Sequence, residues 1–216
     1  ILNGGYDNLD NPDDNTVCGS GAMYTKDFRG FLPTLMERTY KDRVVWKNRL
    51  IEAKKKGDEN EISRCDNMQM AKKIQLNSAY GALANPFFRW FKLEYAESIT
   101  ASGQLSIRWI EKKINEYLNN EFNRDPVAGD DKDYVIAIDT DSVYVNLSRI
   151  VTDPKRGIDQ LDNFANDTFE PLIEKWYGEL AKYTNAYAQR MVMKREVIAD
   201  RGVWTAKKHY ALNVWD

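Results

Sequence analysis

The sequence predicts an α+β fold in which long helices, two of them forming an antiparallel hairpin, pack with antiparallel β-hairpins. Three observations carry that expectation. Apolar residues recur at helical spacing over residues 33–56, 61–79 and 94–119. Two β-branched apolar runs, Tyr134 to Ile138 and Val143 to Leu147, flank the break Asp139-Thr140-Asp141-Ser142. A chain of 216 residues, 43% hydrophobic and 30% charged, has enough material for one or two units with a proper core.

Residues 1–20 are rich in Asn, Asp and Gly and read as loop or weak edge, with Met23-Tyr24 a short strand. Pro33-Thr34 opens a helix to about Lys56, with Leu35, Tyr40, Val44, Val45 and Leu50 as candidate buried positions, and Gly57-Asp58 breaks it. A second helix runs from about Glu61 to Ala79 and ends at Tyr80-Gly81, where glycine admits a left-handed cap. A third spans about Glu94 to Asn119, with Ile99, Ser102, Ser106, Trp109, Ile110 and Ile114 as its packing face. Asp125-Pro126 and Gly129-Asp130 end it and lead to the β-hairpin. After the turn at Asp153-Pro154 and Gly157, a fourth helix covers about Ile158 to Lys182, and β-like runs follow at Met191 to Ala199 and Val203 to Trp215. No repeat or low-complexity segment is present.

The net charge of −2 argues against a uniformly basic coat, yet the charge is uneven. From Gly30 to Asn85 there are 11 Lys/Arg against 7 Asp/Glu, leaving 20 of the 31 basic and 26 of the 33 acidic residues elsewhere. One segment is locally basic, as suits a face that handles phosphates, or a solvated helical surface. No apolar stretch approaches the roughly 20 residues of a membrane span, and no basic leader precedes one, so the expectation is an intracellular protein with no membrane partner. A start at Ile1 reads as a piece of something longer. Cys18 and Cys65 have no metal-ligand spacing and read as free thiols; the single His209 excludes a His-ligated metal site.

Two constellations carry chemistry. Side chains alternate along an extended backbone, so Asp139 and Asp141 could point the same way and grip one divalent cation; the alternative is a solvated turn. Two carboxylates so close need a cation or a shared proton to coexist. On the helical hairpin, Arg43 and Lys47 lie four residues apart, and Lys73 and Asn77 repeat that spacing, so four polar groups could converge on one groove and meet a triphosphate. Tyr80 supplies a flat surface with a hydroxyl, fit to lie beside a base pair or to pack in a core.

The residues resemble a known family. Lys73-x-x-x-Asn77-Ser78-x-Tyr80-Gly81 resembles the K-x-x-x-N-S-x-Y-G fingers motif of family B DNA polymerases, and Asp139-Thr140-Asp141-Ser142 resembles their D-T-D-S palm motif. Gly30-Phe31-Leu32-Pro33 looks like the run leading into the fingers and Lys208-His209-Tyr210 like the K-x-Y primer-contacting motif. Ala211 to Asp216 continues as in T-even-like phage polymerases, and the likeness extends from about Val17 to the end. It implies an antiparallel palm sheet with packed helices and an inserted helical fingers hairpin. Residues 1–29 would be a partial palm segment, 30–85 fingers and 86–216 palm.

The resemblance also implies roles. Asp139 and Asp141 would be catalytic, with Asp141 the firmer metal ligand and Glu196 an acidic residue near the metals; the alternative for Glu196 is an exposed strand carboxylate. Arg43, Lys47, Lys73, Asn77 and Tyr80 would bind the incoming nucleotide; Lys208 and Tyr210 would touch primer DNA. Magnesium, or manganese, is the implied cofactor, and primer-template DNA and a deoxynucleoside triphosphate the partners. The family's other metal-binding aspartate sits in a D-x-x-x-L-Y-P-S motif that this chain lacks. Asp27 to Thr34 imitates the spacing, but Leu32 stands where the motif has Tyr. The usual Gly before D-T-D-S is Ile138, and the fingers tip is short. No proofreading exonuclease, N-terminal region, thumb or sliding-clamp contact is visible.

The expectation is therefore a fingers-and-palm piece that by itself cannot extend a primer, with a second polymerase chain as a possible supplier of the missing parts. The alternatives are an inactive folded fragment and a haloacid dehalogenase-type phosphatase using Asp139 as nucleophile and Asp141 as acid/base. The phosphatase scheme needs a parallel sheet.

Overall fold

The computed structural model describes residues 14–122, 133–151 and 156–215. The chain divides into two compact units, Thr25–Ile99 and Ile1–Tyr24 with Thr100–Asp216. The first 13 residues, Asp125-Pro126, Gly129-Asp130, Asp153-Pro154 and Asp216 lie outside the described residues.

The Thr25–Ile99 unit is built on a helical hairpin, α1 (Phe31–Lys56) and α2 (Glu59–Leu83). Pro33 sits in the first turn of α1, where its missing N–H costs no hydrogen bond. Gly57 ends the helix with φ 70°, and its N–H reaches Ala53 and Lys54 carbonyls, while Lys54, Lys55 and Lys56 face the negative end of the helix dipole. Asp58 then starts α2 by accepting from the Glu61 N–H at 3.1 Å. Two expectations fail here. Gly81 is no cap: α2 runs through it to Leu83 and closes on Ala84 in right-handed geometry. Of the five candidate buried positions on α1 only Leu50 is buried; Tyr40, Val44 and Val45 are exposed and Leu35 is intermediate. The buried positions are Thr39, Leu50 and Ala53 on α1 and Cys65 and Leu83 on α2. A two-helix pair covers only a narrow seam at the period of about 3.5 residues, so the wider stripe read from the sequence stays uncovered.

The second unit centres on α3 (Leu93–Phe122), whose Leu105, Ile110, Ile114 and Leu118 form a core with Phe169, Ile173, Trp176, Tyr177 and Leu180. The latter five lie on a helical run made of α4 (Gly157–Phe164), a π-helical turn (Ala165–Phe169) and α5 (Glu170–Tyr183). Ser106, Trp109, Ile110 and Ile114 pack as the sequence indicates, but Ile99 is exposed. A short antiparallel pair, β1 (Thr16–Val17) and β2 (Met23–Tyr24), is tied to the end of α5 by the Val17 N–H on the Thr184 carbonyl at 2.9 Å.

Antiparallel hairpins make up the rest: β3 (Val135–Asp139) with β4 (Ser142–Val145), and β5 (Ala199–Ala206) with β6 (His209–Val214). The fold is thus α+β, and among the described residues every strand pairing is antiparallel, which removes the parallel sheet that the phosphatase reading needs. The run from Met191 is not a strand until Ala199. Its backbone N–H groups go elsewhere: Met191 donates to the Gln189 side chain and Arg195 to Glu170 Oε1 at 3.0 Å, while the Arg195 guanidinium pairs with Asp162 at 2.8 Å.

Candidate active site

The carboxylate turn is anchored from the helix core. Asn115 of α3 accepts two backbone N–H groups at the start of β3, from Tyr134 at 2.8 Å and Val135 at 3.1 Å, and donates to Asp133 at 2.7 Å. The hairpin register pairs Asp139 with Ser142, so the reversal takes only Thr140 and Asp141. Thr140 has φ 56°, and the Asp141 N–H bonds the Asp139 carbonyl at 2.7 Å, the hydrogen bond of a classic γ-turn. A β-branched residue at positive φ is strained. Two side-chain bonds hold it: Ser142 Oγ donates to the Asp139 carbonyl at 3.0 Å, and Thr140 Oγ1 donates to Asp139 Oδ1 at 3.0 Å.

This geometry corrects one step of the sequence argument. Asp139 ends a strand and Asp141 lies in the turn, so strand alternation does not relate the two side chains; the left-handed Thr140 reverses the chain between them. Asp139 is half-buried and Asp141 exposed. Hard carboxylate oxygens at an open turn fit magnesium, which takes one or two carboxylates and keeps several waters. Among the described residues no three His, Cys, Asp or Glu side chains gather into a metal-holding group. Glu196 therefore does not join the aspartates; it is exposed and stands in the irregular stretch before β5, not on a strand. Asp27 accepts the Thr25 hydroxyl at 2.8 Å in a local turn.

Of the two other residues of this unit, Lys208 occupies the two-residue turn between β5 and β6 at φ 65°, and Tyr210 pairs with Trp204 across that hairpin. Tyr210 also meets the carboxylate hairpin. Its ring lies 5.3 Å from that of Tyr144 on β4, edge on at 64°. The neighbouring Tyr210 hydroxyl, burial and the nearby Asp139 charge push the Tyr144 hydroxyl above the usual tyrosine range, while Ser142 opposes them.

In the helical hairpin the ion pair Asp42–Lys72, 3.3 Å, fixes the register. Position 42 stands opposite 72, so each step toward the tip on α1 matches a step back on α2. Stepping one residue forward from each member of an antiparallel pair turns both side chains to the same side, which puts Arg43 and Lys73 on one side of the seam. At 1.5 Å per residue these two differ in level by about 3 Å, whereas Lys47 lies toward the tip and Asn77 toward the base, about 15 Å apart. By this register the four residues line one side of the seam, with Arg43 and Lys73 at its centre. Lys47, Lys73 and Asn77 are exposed, and Arg43 is half-buried with its Nε buried and unpartnered among the described residues. Tyr80, 42% exposed, continues the face of Lys73 and Asn77 one turn further, within α2. Nearby, the Arg49 and Arg64 guanidinium groups stand 5.0 and 5.7 Å from the Trp46 ring centroid, and burial, with a hydrogen bond to Glu61, pushes the Cys65 thiol up.

Sequence reasoning missed Asn115, Tyr144 and Trp204. The available signal was period-2 spacing: Tyr144 is two residues from Ser142 and Trp204 two from Gly202, each on one strand face.

Residues 8–173 match the sequence profile of DNA polymerase family B. The chain belongs to that family. It is 40% identical over 164 residues to the DNA-directed DNA polymerase of Escherichia phage RB69, and 41% identical over 167 residues to that of Enterobacteria phage T4. Each alignment covers 68% of this chain and 18% of the relative. A DNA polymerase of Pyrococcus glycovorans is 29% identical over 190 residues, 88% of this chain and 20% of its own length. The chain thus spans about a fifth of the length of these relatives.

Proposed function

We propose that this chain is the fingers-and-palm part of a T-even-like phage DNA polymerase, with residues 1–29 and 86–216 in the palm and 30–85 as fingers, and that it serves template-directed transfer of a deoxynucleotide to a primer 3′ end. The supporting observation is that one family match, over residues 8–173, takes in both the Lys73–Gly81 helix and the Asp139–Ser142 turn. Asp139 and Asp141 would hold magnesium or manganese, which when bound activates the primer hydroxyl and neutralises charge on the leaving pyrophosphate. Arg43 and Lys73 bind the middle of the incoming triphosphate, Lys47 and Asn77 flank them, and catalysis by these groups is positioning and electrostatics. Tyr80 lies against the nascent base pair; Lys208 and Tyr210 hold the primer end.

By itself the chain is inactive. Two carboxylates make half of a two-metal site, and the aspartate of the D-x-x-x-L-Y-P-S motif, with a thumb to grip duplex, comes from a further polymerase segment or partner chain. DNA binding by these 216 residues alone is weak and salt-dependent, and the work is done in the infected host's cytoplasm. The test is single-nucleotide primer extension with magnesium, by the chain alone and with an added segment bearing that motif, with Asp141→Asn controls. Extension only after addition, abolished by the control, is the expected result. Extension by the chain alone refutes the missing-ligand account, and none in either case leaves an inert fragment.

A further inference from the structure

A single π-helical turn, Ala165–Phe169, interrupts the helical run from α4 to α5, and the carboxylates on either side of it reach the same residue. The Arg195 guanidinium stands 2.8 Å from Asp162 Oδ1, and the Arg195 backbone N–H donates to Glu170 Oε1 at 3.0 Å. In an uninterrupted α-helix, residues eight apart point about 80° away from each other. A π turn closes i to i+5 and spends one more residue on its revolution. Asp162 and Glu170 are then spaced as if seven apart, two turns along and within about 20° of one face. The extra residue is what lets one arginine meet both.

Arg195 lies in the irregular stretch that leads into β5, and this stretch fastens the β5–β6 hairpin. Among the described residues no strand of another sheet pairs with β5 or β6. Met193 packs against the helix core, and Ile198 is buried, its carbonyl accepting the Trp215 N–H at 2.8 Å at the open end of the hairpin. Apolar packing of these two sets depth but leaves sliding along the helix open. A charge pair and a backbone hydrogen bond, two turns apart on that helix, fix the position along it. Asp162 Oδ1 is buried with no aligned hydrogen-bond donor among the described residues, so the Arg195 charge is what offsets its burial. The hairpin fastened in this way carries Lys208 and Tyr210, and its Trp204 ring lies 5.3 Å from that of Tyr144 on the carboxylate hairpin.

We infer that Arg195 is a positioning residue: by spanning the π turn from Asp162 to Glu170 it sets where the β5–β6 hairpin stands along the helix core, and so where a primer end held by Lys208 and Tyr210 stands relative to Asp139 and Asp141. The inference rests on the polymerase reading for the primer, and on the contacts alone for the clamp.

The test uses the whole chain labelled with 5-fluorotryptophan. The Trp204 fluorine resonance reads the hairpin against the Tyr144 ring, and the Trp109 and Trp176 resonances report the helix core. Arg195→Asp and Asp162→Arg are each expected to shift the Trp204 signal, to leave the core signals in place, and to speed amide exchange over residues 195–202 about 3-fold or more. The double variant restores an opposite-charge pair and should return both readouts toward wild type. Deletion of Asn166, which removes the extra residue of the turn, should match the single variants and add little to Arg195→Asp; the charge reversals decide the clamp independently of it. Affinity for a 3′-recessed primer-template duplex, read by fluorescence anisotropy, should fall several-fold in both single variants, although one removes positive charge and the other adds it, and should recover in the double. An unmoved Trp204 signal, core signals that move with it, or a double variant no better than the singles overturns the clamp, and a deletion without effect overturns the part given to the π turn. Duplex affinity that follows net charge instead of pairing overturns the positioning role alone. A clamp that passes in a wild-type chain binding no duplex at low salt overturns the primer role and the polymerase reading together.

Discussion

Removing the Asn115 side chain should loosen the carboxylate hairpin at its root. In Asn115→Ala, the Tyr134 and Val135 N–H groups lose their shared acceptor, at 2.8 and 3.1 Å, and both residues are buried, 6% and 5% exposed. A buried donor left unsatisfied costs about 1–3 kcal/mol. The contact to Asp133 is exposed and adds little. Some water entry offsets the larger sum, so the expected loss is about 2–4 kcal/mol. With a urea slope of about 3 kcal/mol per M for a unit of this size, the midpoint falls by roughly 1 M. The assay is urea unfolding followed by hydrogen exchange at Val135–Asp139, the amides nearest the break. Asn115→Asp combined with Asp133→Asn keeps an acceptor for both N–H groups and reverses the donor across the pair, so it should recover most of the loss. An Asn115→Ala midpoint within about 0.2 M of wild type, or exchange that rises no faster in β3 than elsewhere, would falsify the anchoring role.

Two further outcomes follow from the register and from burial. Arg43→Ala and Lys73→Ala should weaken binding of a magnesium deoxynucleoside triphosphate far more than Lys54→Ala at the hairpin tip, and should be non-additive together, since the two groups are nearly level. Lys47→Ala and Asn77→Ala, about 15 Å apart by register, should add. Equal losses at Arg43, Lys73 and Lys54 in an equilibrium binding titration sink the assigned stripe. Burial raises the folded-state Cys65 and Tyr177 groups above their ordinary 9.0 and 10.0. Below those values both folded and unfolded chains keep the protons; above them the unfolded chain releases first. Stability should therefore hold to about pH 9 and fall as pH rises further, seen as a lower urea midpoint at pH 10.5 than at pH 8; an unchanged midpoint contradicts the burial of these groups.

Most helices were legible because their signals are local. Gly57-Asp58 contains both a left-handed stop and an N-cap, so the hairpin tip needs no tertiary help. The end of α2 was misread for the same reason, since Gly81 is a possible stop and nothing local decides whether a helix uses one. The stretch from Met191 looked like strand because alternation shows which side chains can share a face, not whether a partner strand is there to take the N–H groups; Glu170 and Gln189 take two of them instead.

What the sequence determined by itself was the presence of two chemically distinct clusters, a cationic set at four-residue spacing on a helical hairpin and two carboxylates at a chain reversal, together with membership of a polymerase family. Residue type and spacing along one element are enough for that. Tertiary structure alone decided how the clusters are held. The Asp42–Lys72 contact sets the level of Arg43 against Lys73, the Asn115 amide roots the carboxylate hairpin, and Tyr144 meets Tyr210 from 66 positions away. These are contacts between elements distant in sequence, and their geometry depends on the packing of a whole core, which no local period encodes.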